Sequence, residues 1–335
     1  MNKFFFFLIL VSIQSCSTSN NHIELENNTP IYKPTGLYTS SFGNETALAH
    51  PQAKGSLIRV TWKDLEPAKG LYDFTALEEK ISIVKSYNKK WSLAIIAGND
   101  SPEWLLTDIK ADFFEIVDIN NTLKKIPKIW DPKVNERLDL LARQLAETYN
   151  NDIDLTLVYV PQMTVNGIEG HFNGVTSSEL INAGLTANRW VSSVKETAKI
   201  FANYFSNKAI AVEVHDIMGD TSIPNRIIND LWNDYSLNKR VGAAIWWISG
   251  KNSYQPNLID ALTDFEGDIY AQAIGRSDQI ERFENNDYRT LFSQSETIGV
   301  RYLELWEYEF VNNTFPTTFE SFNKYTDSNF NKLKK

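Results

Sequence analysis

Eight short apolar segments, separated by longer amphipathic ones, predict an α/β chain closed into a (β/α)8 TIM barrel. Three observations carry that prediction. Apolar runs of strand length occur at 36–42, 57–62, 91–97, 155–161, 209–215, 243–248, 269–274 and 301–306. Stretches with helical character lie between them at 75–88, 135–150, 186–206, 222–237, 256–264 and 287–297. No Gly-rich phosphate loop follows the first strand, which sets the closed barrel ahead of an open doubly wound sheet. A length of 335 residues suits a barrel, which commonly occupies about 200 to over 400 as one domain. Residues 31–335 are therefore read as a single barrel domain.

Composition narrows the function classes. With 33 Lys+Arg against 42 Asp+Glu, the net charge of −9 leaves no basic excess to neutralise phosphates, so nucleic acid is not an expected partner. The single Cys excludes an intramolecular disulfide and a thiolate cluster. No His-Glu-x-x-His pattern and no EF-hand spacing occurs, so neither a metal nor a cofactor is expected. The 19 Phe, 14 Tyr and 9 Trp fill a core, and Trp and Tyr also build platforms for sugars.

Taken in order, the chain opens with Met1-Asn2-Lys3 and an apolar run to Ile13, too short for a permanent membrane span. Ile13-Gln14-Ser15-Cys16 resembles a bacterial lipobox. That resemblance implies a signal peptide over 1–15, lipid on the Cys16 sulfur, a polar tether over 16–30 and a place in the cell envelope, at the outer membrane or cell surface. An ordinary signal peptide with an incidental Cys is the alternative. Next, Thr75-Ala76-Leu77-Glu78 predicts a capping box, with Ile81 and Val84 facing inward. In 135–149, Leu138, Leu141 and Leu145 share a buried face, while Arg137 and Arg143 are expected on the wetter side. The irregular stretches 99–134 and 162–185 follow the third and fourth strands, where long loops build sites. The stretch 311–335 is expected to end as a frayed tail.

Strand parity picks out polar residues inside the barrel. Leu303 and Leu305 share one face, while Tyr302, Glu304 and Trp306 share the other. By the same rule Glu213 and His215 point inward from 209–215, and Arg59 from 57–62. Buried charge needs a partner. Arg59 reads equally as a structural partner, for instance of Glu213, and as support for a substrate site. His215, at its strand end, reads as a site residue. Trp246 and Trp247 face opposite ways, so at most one reaches the lumen.

Leu65-Glu66-Pro67 continuing to Gly70-Leu71-Tyr72-Asp73-Phe74, after the strand at 57–62, resembles the second strand and turn of clan A glycoside hydrolases, the family 42-like barrels in particular. Ser101-Pro102-Glu103-Trp104-Leu105 and Ile126-Pro127-Lys128-Ile129-Trp130-Asp131-Pro132 are similar to the family's later loop segments. The resemblance covers the first third of the barrel. It implies a carbohydrate substrate and hydrolysis of a poly- or oligosaccharide by two carboxylates with retention. The family carries Asn-Glu at the end of strand four, where this chain has Pro161-Gln162, and Glu169 is the nearest acid. At strand seven the family's nucleophile position offers Gln272, and the strongest acid is Glu304 on strand eight. Either the strand numbering is one too high, the catalytic layout differs, or hydrolysis has been lost.

Glu169 is accordingly assigned as acid/base and Glu304 as nucleophile. Arg59, His215, Trp246, Trp247, Gln272, Tyr302 and Trp306 are candidate sugar contacts. Glu307, Glu309 and Glu213 compete with Glu304, whereas Glu66 reads as a turn-stabilising residue. Asp216 and Asp220 do not define a metal site. A non-catalytic glycan-binding barrel is the second function class, and a polysaccharide lyase a third.

Overall fold

The computed structural model describes residues 31–330. Eight parallel strands close into a barrel: β1 (Gly36–Thr39), β2 (Gly55–Thr61), β3 (Lys90–Ile96), β6 (Leu155–Tyr159), β7 (Ala209–Glu213), β8 (Val241–Ile248), β9 (Ile269–Ala273) and β10 (Val300–Leu305). Each pairs with the next barrel strand, and β10 returns to β1. Two further strands, β4 (Phe113–Val117) and β5 (Leu123–Pro127), form a separate antiparallel hairpin. Every predicted strand segment overlaps one barrel strand, with ends displaced by up to three residues, so β9 and β10 are the seventh and eighth staves. The signal peptide over 1–15, the lipidation at Cys16 and the tether over 16–30 lie outside the described residues. No helix among the described residues is long and apolar enough to cross a membrane.

Alternation divides each stave as the parity rule requires. Leu37, Ile58, Val60, Ile210, Val212, Leu303 and Leu305 join the outer core beneath the helices. Tyr38, Leu57, Tyr159, Ala211, Trp246, Tyr270 and Tyr302 form a second, inner cluster. The register sets Glu304 beside Gln272 on one side and Tyr38 on the other. Small side chains at Ala94, Ala209, Ala211 and Ala244 leave the lumen room for four tyrosines and a tryptophan.

The helix Pro132–Tyr149 starts at Asp131, whose carboxylate accepts from the Lys133 amide, with Pro132 at the first helical position. Leu138, Leu141 and Leu145 are buried as expected. Arg137 is not on the wet side. It is buried, stacks 5.0 Å over Trp104 and pairs with Glu66. Glu66 also accepts from Trp62 Nε1 (3.0 Å) and the Gly70 amide (2.9 Å), which makes it the anchor of its turn. A helical wheel cannot see a carboxylate 71 residues away, and burying an Arg pays only when such a partner waits.

Three other expectations are corrected. The helix Thr75–Ser86 begins without a capping box, because Thr75 already lies inside it and Asp73 receives the Thr75 amide instead. The stretch 99–134 contains the β4–β5 hairpin, closed by Asp118, whose side chain accepts from the amides of Asn120 and Thr122. The tail contains a helix, Pro316–Phe330, that buries Phe319 and Phe322, while its expected frayed end, 331–335, lies outside the described residues. From it, Asn323 Oδ1 accepts the Leu37 amide of β1 (2.9 Å), and its Nδ2 donates to the Gln52 carbonyl (2.9 Å).

Candidate functional site

The polar lumen residues gather at the C-terminal ends of the staves, where a barrel of this class builds its sites. They form two clusters. The floor cluster centres on Glu304, which is wholly buried. Its carboxylate accepts from the hydroxyls of Tyr302 (2.6 Å) and Tyr159 (2.8 Å) and from Gln272 Nε2 (2.5 Å). Gln272 in turn accepts from Arg59 Nη2 at 3.0 Å. Arg59 therefore serves Gln272, not Glu213, and its guanidinium lies 4.9 Å from the Trp246 ring. Burial pushes the Glu304 carboxyl above its ordinary range, against the hydrogen bonds of Tyr302 and Gln272 and the charge of Arg59.

The rim cluster is built where the loop after β6 crosses the end of β7. Gln162 ties the loop down, donating from Nε2 to the carbonyls of Ile168 (2.8 Å) and Glu213 (2.7 Å). Gly167 turns with φ +75°, and a side chain there would strike the Ala97 backbone. Gly170 passes so close to β7 that a Cβ would stand 2.9 Å from the Glu213 carbonyl. This close passage lets the Gly170 amide donate to Glu213 Oε2 at 2.6 Å. Glu213 also accepts the Trp246 amide (3.2 Å) and bonds His215 Nδ1 at 2.9 Å. The His215 ring lies 4.1 Å from that of His171, and His171 Nε2 meets Glu169 Oε2 at 2.9 Å.

The electrostatics of the rim run in opposite directions within a few ångströms. Burial, with the Glu169 charge beside it, drives Glu213 well above the ordinary carboxyl value. Burial and the neighbouring His171 hold His215 down to about 3, so it is neutral at physiological pH. For Glu169, burial pushes up, but the His171 hydrogen bond and the imidazoles beside it outweigh it and the net shift is downward. His171 shows the converse: burial pushes down, yet Glu169 and Glu213 raise it on balance.

The structure thus brings Glu169 and His215 together, and separately Arg59, Trp246, Gln272, Tyr302 and Glu304. Trp246 links the two groups, with its ring beside Arg59 and its amide on Glu213. Trp306 stands at the mouth, 37% exposed, with Nε1 donating to the Ala273 carbonyl at 3.0 Å. Tyr302 is sealed within the floor, where it has no face open to a ligand. Trp247 turns away from the lumen into the outer core, donating to the Val214 carbonyl at 3.1 Å, although its ring centroid lies 5.7 Å from that of His215. Of the competing acids, Glu307 is held by the Asn44 amide, and the buried Glu309 by the Ser277 amide and Thr314.

Sequence reasoning missed His171 and Tyr159. The signal for His171 was its place two residues after Glu169, and for Tyr159 the inward parity it shares with Leu157. Among the described residues, one loop and one strand end also bring side chains of metal-ligand type close together. Donor atoms of Glu169, His171 and His215 all lie within 4.8 Å of one another. They come from a loop and a strand end far apart in sequence, which no local motif reports.

No family model matches the chain, and no curated protein does. Solved barrels are similar in fold. The catalytic domain of β-amylase from Paenibacillus polymyxa matches with a TM-score of 0.60 at 10% identity, over 88% of this chain and 98% of that one. Xylanase B from Clostridium stercorarium F9 gives 0.48 at 13% identity, covering 82% and 86%. Endo-glycoceramidase II from Rhodococcus sp. gives 0.46 at 11% identity, covering 82% and 73%. At 10% identity the likeness to the β-amylase domain is one of fold alone, a (β/α)8 barrel. It singles out no family, 42 included.

Proposed function

We propose that the chain hydrolyses glycosidic bonds of a poly- or oligosaccharide, as a lipid-anchored protein of the bacterial cell envelope. The observation that carries this reading is the half-exposed Glu169–His171 pair at the rim of a mouth floored by Arg59, Gln272 and Trp246. A sugar stacks on an apolar ring face, and the exposed Trp306 offers one at the mouth.

The reaction needs one group to protonate the leaving oxygen and a second carboxylate to attack or to activate water. Glu169 is the candidate for the first role. Its carboxyl ionises early, so the proton is carried by the pair it forms with His171 and passes to the leaving oxygen from there. Glu304 is the candidate nucleophile, which accords with a retaining, family 42-like course. To act, it has to shed the Gln272 amide that covers it. The lipid anchor at Cys16 rests on the resemblance of residues 13–16 to a lipobox.

One observation favours a second reading, a glycan-binding barrel without catalysis. Glu304 is fully buried and already holds three donors, an arrangement suited to a structural acceptor. The deciding experiment presents a broad glycan panel to the full chain and to its Glu169→Gln and Glu304→Gln variants, reading product masses. Cleavage by the wild type and its loss in both variants supports the hydrolase. Cleavage that survives Glu304→Gln removes that residue from the mechanism. Binding without cleavage across the panel favours the second reading.

A further inference from the structure

We propose that Glu169, His171 and His215 form a binding site for a divalent transition-metal ion of the Zn2+ class. Two imidazoles and one carboxylate are a donor set that such ions take readily, whereas Mg2+ and Ca2+ prefer all-oxygen shells. Their candidate donor atoms already lie within 4.8 Å of one another. A shared ion about 2.1 Å from each needs separations below ~4.2 Å. The adjustment is small, and the Glu169 side chain, 26% exposed and unbranched, is free to make it.

A second, independent feature points the same way. His215 is 95% buried (5% exposed), and its Nδ1 is engaged by the Glu213 carboxyl at 2.9–3.0 Å. Its other ring nitrogen, Nε2, has no hydrogen-bond partner among the described residues. A buried carboxyl fixing one nitrogen of an imidazole while the other stays open is how proteins orient metal-binding histidines. Glu213 is itself pinned by the Gly170 and Trp246 amides, so the ring it holds is set rigidly. The Glu169 and His171 side chains, 26% and 20% exposed, provide the entry path. Three protein donors leave coordination positions open toward the mouth, the form of a site that also takes water or a ligand oxygen.

This inference goes beyond the glycosidase reading and does not depend on it. The ion takes both members of the pair assigned there to proton transfer, so metal loading and metal-free hydrolysis exclude one another at Glu169.

The test is calorimetric titration of Zn2+ into the chelator-treated full chain, repeated with Co2+ and its visible absorption as a signature of imidazole coordination. One ion per chain is expected. His171→Ala and Glu169→Gln alter half-exposed side chains, so they fold, and each weakens binding by more than about a hundredfold; Glu213→Gln, which keeps all three donors, weakens it roughly 10–100-fold. His50→Ala, at a histidine bonded to Asn313 elsewhere on the barrel, leaves it unchanged. Absence of saturable binding by the wild type overturns the proposal. So does an affinity that His171→Ala and Glu169→Gln leave intact, which marks the ion as bound elsewhere. No sugar enters the measurement, so its failure leaves the glycan reading standing, and the reverse holds too.

Discussion

Floor and rim of this barrel each bury a glutamate, and they satisfy it differently. Glu304 is surrounded by two phenolic hydroxyls and an amide, groups that do not change charge near neutral pH. Glu213 is held by two backbone amides and an imidazole, and through that imidazole it touches a second histidine and a half-exposed acid. The same side chain therefore makes a fixed point in one place and an adaptable one in the other. Chemistry that exchanges protons or ions belongs at the rim. The floor holds its carboxylate, the candidate nucleophile, among stationary donors.

Several substitutions can break or sharpen that contrast. The largest effect is expected from Glu304→Ala, which strands three donors in a sealed cavity and costs about 3–5 kcal/mol in urea unfolding. Glu213→Ala strands two amides and an imidazole, but beside a partly open rim, and a loss of roughly 1–3 kcal/mol is expected from the same measurement. An equal or larger loss at Glu213 would erase the distinction between fixed floor and adaptable rim.

Proton linkage sharpens it further. Glu304 is raised above its unfolded value, so its contribution to stability is whole below the ordinary carboxyl pKa and is lost as pH rises through the folded value. Thermal unfolding of Glu304→Gln across this range is expected to show a weaker decline toward neutral pH than the wild type. A parallel pair of curves would mean that Glu304 keeps its ordinary pKa. The smallest effect belongs to the mouth. Trp306→Ala should weaken glycan binding by about 1 kcal/mol, roughly fivefold in Kd, with stability unchanged. A binding isotherm identical to the wild type would remove Trp306 from the sugar platform.

The staves were legible because period two survives in short segments: Arg301 to Trp306 announces both the helix-facing leucines and the inward Glu304. The hairpin at 113–127 also alternates, Phe114 and Ile116 buried between exposed Phe113, Glu115 and Val117, but its short arms sit among loop residues and read as irregular. Arg137 was misjudged, and Asn323 passed over, for a shared reason. Each is a polar residue buried for a distant partner, Glu66 in one case and the β1 backbone in the other, and one-dimensional periodicity registers polarity without its partner. The rim was half legible. Glu169 and His215 stood out singly, yet their meeting through His171 depends on how closely Gly170 can pass β7.

Asn323 has a consequence for the order in which the chain becomes a barrel. β1 pairs with β10, and its Leu37 amide is received by a side chain 286 residues later. While the chain emerges in sequence, β1 has β2 for a neighbour and an open edge on its other side, and it stays so until nearly everything else has been made. Closure is then one late event joining the first stave to the last, with a large loop-closure entropy met at that moment. A cut just before residue 316 removes a terminal helix on paper; in the folding chain it withdraws the latch from the first strand.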